Sequence, residues 1–230
     1  MRKYKHLFFD LDRTLWDFDH NTSVTLQELL SAFSELSEIK DSLGFIKNYH
    51  RFNDYVWNLY REKKITKTVL RKERFRMLLQ EYNMNNESLV AQIEAFYLNN
   101  APYKSKLINN ASEVLNKVKD YYSLYIVSNG FYDVQLTKLR SGGIDKFFKK
   151  IFTSDRIGYA KPNKAFFEYC IKSANAKKTE SLFIGDDLTN DIMGPASFGI
   201  DQVWFNPNNQ PASFKPSFEI KNLIQLTEIL

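Results

Sequence analysis

Asp10 and Asp12, in the run Asp10-Leu11-Asp12-Arg13-Thr14, directly follow the apolar residues Leu7, Phe8 and Phe9. Ser128-Asn129-Gly130 ends the apolar run YSLYIV, and Lys161-Pro162 lies six residues past Asp155. Gly185-Asp186-Asp187 closes SLFI, with Asp191 five residues beyond Asp186. Gathered in one cleft, Asp10, Asp12, Asp186, Asp187 and Asp191 would repel one another and raise their pKa values unless a cation joined them. Oxygen-only ligands favour Mg²⁺, which takes one or two carboxylates and leaves room for phosphate oxygens and water. Ser128 and Lys161 supply a hydroxyl and a point charge for a phosphoryl group. A carboxylate nucleophile, a divalent ion and a cationic clamp point to phosphoryl transfer through an aspartyl-phosphate.

Each motif alone has a plainer reading. An Asp-x-Asp at a strand end is commonly a turn acid, and Ser-Asn-Gly is a common turn. A Lys before Pro is usually exposed. Asp187 and Asp191 suit a helix N-terminus. The case for a site is that all four occur in order, each at or beyond the end of an expected strand.

Those strands follow from periodicity. A first strand is expected over roughly Tyr4 to Asp10, then helical patterning from about Asn21 to Asn99 with no strand. VTLQELLSAF, FNDYVWNLYREKK and the stretch from Thr68 to Tyr82 carry that pattern, and Ile65-Thr66-Lys67 reads as a turn. Beyond Pro102, helices alternate with the strands YSLYIVSNG, KKIFTSD, ESLFIGDD and DQVWF, and a last helix is expected near Leu223 to Leu230. βαβ spacing of short apolar runs predicts a buried parallel sheet. The expected fold is therefore α/β: a Rossmann-like, doubly wound parallel sheet with an inserted all-helical cap. The core should comprise residues 1–16 and 101–230, and the cap residues 17–100. In such sheets the ligand lies beyond the carboxyl ends of the strands, where the four motifs fall.

Composition narrows the alternatives. Of 230 residues, 43% are hydrophobic and 26% charged, which excludes a disordered chain. No run reaches the roughly 18 apolar residues of a membrane helix. The single Cys170 excludes an internal disulfide, and His6, His20 and His50 are too scattered for a zinc cluster. Only 8 glycines argue against glycine-rich phosphate loops. The net charge of +5 is spread over interleaved acids and bases such as RKERFR, which reads as solvated helix faces and not as a nucleic-acid stripe. MRKYKHLFF opens like a leader peptide, but Asp10 breaks its apolar run and no small-residue cleavage site follows. The expectation is a cytoplasmic monomer or homodimer acting on a small phosphorylated metabolite, with neither membrane nor nucleic-acid polymer as partner.

FFDLDRTLWDF, YIVSNGF, GYAKPNKAFFEY and FIGDDLTNDIMGPASFG resemble, in order, the four motifs of the haloacid dehalogenase-like hydrolase superfamily. The resemblance spans nearly the whole chain, and a helical cap after the first motif is that superfamily's habit. SNGF, AKPNKAFF and the Asp17-Phe18 pair resemble the branch of house-cleaning pyrimidine 5′-nucleotidases.

The resemblance implies a role for each position. Asp10 would be the nucleophile. Asp12 would protonate the leaving oxygen and then activate water, its main-chain carbonyl also binding Mg²⁺. Asp186 would be the carboxylate metal ligand, and Asp191 would act directly or through water. Ser128 and Lys161 would hold phosphoryl oxygens, with the amide of Asn129 helping. Dehalogenases lack the second acid, so Asp12 implies a phosphatase, most simply one acting on nucleoside monophosphates. A phosphosugar phosphatase, a mutase or a silent binding domain is the alternative. Arg13 stands where relatives often carry a small, acidic or polar residue. In the cap, Tyr55, Trp57, Tyr60, Arg74 and Phe75 are candidates to meet a base, although helically spaced aromatics are more often core.

Overall fold

The computed structural model describes residues 3–230. The chain begins β1 (His6–Phe9), α1 (Phe18–Ala32), α2 (Ser42–Arg61), α3 (Lys67–Glu81), α4 (Glu87–Asn100). It continues α5 (Ala111–Val118), β2 (Ser123–Ser128), α6 (Tyr132–Ser141), β3 (Lys150–Thr153), α7 (Ser154–Ile157), α8 (Lys164–Ser173), β4 (Ser181–Gly185). After a π-helical turn at Leu188–Met193 come α9 (Gly194–Ser197), β5 (Asp201–Phe205), β6 (Phe218–Ile220) and α10 (Leu226–Ile229). Two compact units result: residues up to Phe18 with Lys104–Leu230, and Asp19–Tyr103. No helix among the described residues is long and apolar enough to cross a membrane.

The first unit is a six-stranded sheet in the order β3-β2-β1-β4-β5-β6, every pairing parallel. Both faces are covered, because alternate side chains of each strand leave in opposite directions. Leu7, Phe9, Leu124, Ile126, Leu182 and Ile184 pack with Val114 and Leu115 of α5 and Leu139 of α6. Phe8, Tyr125, Val127 and Phe183 pack with Phe166, Phe167 and Cys170 of α8. Phe8 is in register with Tyr125 and Phe183 and stacks on both, at 4.8 and 4.6 Å between ring centroids. This ladder ties together the three central strands whose ends carry Asp10, Ser128 and Asp186.

β6 is the strand that periodicity did not predict. Phe218–Ile220 is three residues long and follows a Pro- and Asn-rich loop, too short to show alternation. The expected last helix is a 3₁₀ turn, Leu223–Gln225, followed by the single turn α10.

The second unit is helical. Asp41, Thr66 and Asn86 cap α2, α3 and α4 by accepting from the backbone N–H three residues on, so Thr66, read as a turn residue, starts a helix. Phe45, Tyr49, Phe75 and Tyr97 fill its core with Leu26 and Leu29. The Arg74 guanidinium is buried above the rings of Tyr49, Phe75 and Tyr97 and donates to Asn53 Oδ1 at 3.0 Å. Phe75 and Arg74 are thus core, Tyr55 is exposed, and half-buried Trp57 and Tyr60 meet edge to face at 5.8 Å.

Removing the ring at the centre of the sheet should be severe. Phe8→Ala leaves a cavity between two stacked neighbours, and urea unfolding should show a loss of about 3 to 5 kcal/mol. A loss below about 1 kcal/mol would mean that the sheet does not depend on this ladder.

Candidate active site

The strand order reverses direction between β1 and β4, the position at which open α/β sheets bind ligands. Asp10 follows β1 and extends its ladder by donating N–H to Ile184 O at 2.8 Å. The chain then turns sharply. Leu11 O accepts from the amides of Thr14, Leu15 and Trp16, and Arg13 takes φ 64° at the corner. A non-glycine residue in that region is a mark of a constrained site. The turn aims Thr14 Oγ1 at Asp186 Oδ1, 3.0 Å away. Trp16 is fully buried and anchors the turn through Nε1 to Lys104 O at 3.0 Å.

Three carboxylates converge at these strand ends. Asp10, Asp186 and Asp191 each offer an oxygen atom within 4.8 Å of the others. Asp191 comes from the π-helical turn, and π-turns inside helices are frequent at functional sites. It approaches so closely that a Cβ on Gly185 would lie 2.4 Å from its side chain, so only glycine fits there. Asp187 plays a different part. It caps the turn, accepting from the amides of Thr189 and Asn190, both at 2.9 Å. The plainer reading of Asp187 is therefore the structural one.

Lys161 lies between two of the acids. Its Nζ donates to Asp10 Oδ1 at 2.7 Å, Asp191 Oδ1 at 2.6 Å and Val127 O at 2.9 Å. Those three acceptors use all three ammonium protons of a side chain that is 2% exposed. Lys161 is no exposed lysine beside a proline. Asn129 holds it in place: Asn129 Oδ1 accepts from Lys161 N at 2.8 Å, and Nδ2 donates to Lys161 O at 3.0 Å.

Burial dominates the electrostatics. It is the largest influence on Asp10 and pushes its pKa up, against the opposing pull of Lys161. Burial raises Asp191 to about 7, again opposed by Lys161. Asp186 is pushed well above the ordinary range by burial, then by Asp10 and Asp191, with Arg13 opposing. One ammonium among three carboxylates, two of them buried and Asp186 half-buried, leaves the cluster short of positive charge, which suits a hard divalent cation held by oxygen.

Asp12 belongs to a different environment. Its Oδ1 accepts from Lys138 Nζ at 2.5 Å and its Oδ2 from Gln135 Nε2 at 2.9 Å. Ser128 Oγ accepts from Gln135 Nε2 at 2.6 Å and from Gly130 N at 3.0 Å. Phe131, which follows the same motif, is buried. Gln135 and Lys138 were missed by motif reading. The available signal was two polar residues, one turn apart, on the face of α6 that also buries Leu139.

An α/β sheet with strand-end carboxylates, a bridging lysine and an acid pair after β1 defines a class of hydrolase. The profile of the haloacid dehalogenase-like hydrolases matches residues 4–199, and the chain belongs to that family. YfnB of Bacillus subtilis, which carries a HAD-hydrolase name, is 33% identical over 100% of this chain and 97% of its own. Its magnesium-bound crystal structure covers 99% of each chain with a TM-score of 0.89. The pyrimidine 5′-nucleotidases PynA of Streptococcus pneumoniae and YjjG of Escherichia coli are 31% and 29% identical, each over 99% of this chain and 95% and 98% of their own.

The charge imbalance has a measurable signature. A carboxyl whose pKa is raised by folding keeps its proton in the native state where the unfolded chain has lost it, so its contribution to stability falls as pH rises. For Asp186 the fall starts near the ordinary value of 3.8 and continues up to its raised native value. In EDTA, Asp186→Asn should therefore be more stable than the parent, with a gap that widens from acid to neutral pH. A gap that is flat with pH, measured by thermal melts, would contradict this electrostatic picture.

Proposed function

We propose that this chain is a Mg²⁺-dependent phosphatase that cleaves phosphate monoesters through an aspartyl-phosphate on Asp10, and that its substrates are pyrimidine nucleoside 5′-monophosphates. The observation that carries the phosphatase reading is Asp12. It is a second carboxylate beside the nucleophile, engaged by Lys138 and Gln135 and separate from the cluster of Asp10, Asp186 and Asp191. A departing halide needs no proton, whereas an alkoxide leaving group does. The nucleotide part rests on likeness to PynA and YjjG across nearly the full chain.

In this reading an Asp10 oxygen attacks phosphorus as the ester P–O bond breaks. Asp12 gives its proton to the leaving oxygen and becomes a carboxylate. It then takes a proton from water, whose oxygen attacks phosphorus. That breaks the bond to Asp10, releases inorganic phosphate and restores both acids. Lys161 fixes the nucleophile through its bond to Asp10, and its charge faces the charge that builds on the transferring group. Ser128 Oγ already accepts two hydrogen bonds, so its proton is free for a phosphoryl oxygen, beside the main-chain amide of Asn129. Asp10, Asp186 and the main-chain carbonyl of Asp12 would hold Mg²⁺, with Asp191 directly or through water. The bound ion supplies positive charge to the phosphoryl oxygens.

Two measurements test the reading. Mg²⁺ should raise the melting temperature of the parent and that of Asp186→Asn much less, since a ligand stabilises only the state that binds it. In a screen of phosphate esters, UMP, dUMP and dTMP should exceed hexose phosphates in kcat/KM. A ranking led by sugar phosphates would overturn the nucleotide assignment. No Mg²⁺-dependent hydrolysis of any ester would overturn the phosphatase.

A further inference from the structure

Every acceptor on the Asp12 carboxylate that the structure records is met from one helix. Lys138 and Gln135 are three residues apart on α6, so their side chains leave the same face. Lys138 is 7% exposed, with its ammonium 4.5 Å from the ring centroid of Trp16 and 5.5 Å from that of Phe18. The aromatic floor strips water from the ammonium and leaves the Asp12 carboxylate as its counter-charge. A buried cation that loses such a partner is strongly destabilised.

Gln135 is more unusual. Its side chain is fully buried, and its Nε2 serves both Asp12 Oδ2 and Ser128 Oγ. A carboxylate only accepts, so the amide must present nitrogen to Asp12. This orientation leaves Gln135 Oε1 buried with no hydrogen-bond partner among the described residues. An unsatisfied buried oxygen does not add to stability, so what Gln135 contributes here lies in its two Nε2 contacts. Gly130 is shaped to admit it, because a Cβ there would lie 2.2 Å from Gln135 Nε2.

We propose that Lys138 and Gln135 are positioning residues for Asp12. They hold its carboxylate from both oxygens, and Gln135 locks it to the Ser128 hydroxyl so that the proton-transferring group and the phosphate-facing donor keep one fixed geometry. Both act through Asp12 and exchange no proton with the substrate themselves. The inference rests on the phosphatase reading and adds to it how the acid is aimed. Without the clamp, a part-exposed aspartate would turn freely about its side-chain torsions and face the leaving oxygen for a smaller share of the time.

The test separates aiming from general damage. The leaving group of p-nitrophenyl phosphate departs without a proton, while an alkyl phosphate needs one. Lys138→Met, which keeps an apolar stem against Trp16, and Gln135→Met are compared with the parent in Mg²⁺. The readout is kcat/KM on p-nitrophenyl phosphate and on the parent's best alkyl ester. Each variant should lose at least about tenfold more on the alkyl ester than on p-nitrophenyl phosphate. Lys138→Arg should recover most of the difference by keeping a cation on Asp12. Melting temperatures are measured alongside, and if Lys138→Met does not fold, Gln135→Met carries the comparison. Equal losses on both esters, or unchanged activity on both, would overturn the positioning role. A parent that hydrolyses neither ester would instead overturn the phosphatase reading, so the two failures are distinguishable.

Discussion

The site is organised by a buried ammonium. Lys161 Nζ joins Asp10, Asp191 and the carbonyl of Val127, at distances of 2.6 to 2.9 Å, in a place almost closed to water. Removing the ammonium would leave buried carboxylates uncompensated, a change that costs several kcal/mol in typical cases, about 3 to 5. Much of the surrounding construction serves this junction. Asn129 grips the backbone of Lys161 from the end of β2, and the absent side chain at Gly185 makes room for Asp191. The stacked rings of Tyr125, Phe8 and Phe183 keep the three strand ends in register beneath it.

One lysine does not neutralise three carboxylates. Burial keeps Asp186 and Asp191 raised and the remaining negative charge adds to it; that unneutralised charge is the physical basis for expecting a divalent cation. Asp12 has a counter-charge of its own, Lys138, which comes from α6. Two acids only two residues apart are thus given different surroundings. Asp10 is buried with a shared lysine, and Asp12 is partly open and held by α6. Placing similar groups in unlike environments is how a site divides nucleophilic from proton-transfer work.

Much of the architecture was legible because its signals are local. Leu7-Phe8-Phe9 before Asp10, and Leu182-Phe183-Ile184 before Asp186, read as buried strands ending in acids, and both are central strands of the sheet. β6 was illegible because three residues carry no period. Asp187 and Asp191 both suit a helix N-terminus by residue type, and of the two the resemblance gave a metal role to Asp191 alone. Only the π-helical turn separates them, directing one to cap the backbone and the other to Lys161. Gln135 and Lys138 belong to no short motif, and their partner, Asp12, is more than 120 residues away in the chain. Contacts of that range follow from the parallel crossover, which periodicity predicts only as topology. The cap shows the converse. Phe75 and Arg74 suggested a ligand surface by type, but burial assigns them to packing.

The most direct measurement concerns the two neighbouring acids. Each of Asp10→Asn and Asp12→Asn is mixed with an activated phosphate ester and Mg²⁺, quenched rapidly and weighed intact by mass spectrometry. If Asp10 carries the phosphoryl group and Asp12 activates the water, Asp12→Asn accumulates a covalent phosphoryl adduct that maps to Asp10, and Asp10→Asn acquires none. A phosphorylated Asp10→Asn protein would contradict the account, because the nucleophile would then lie elsewhere.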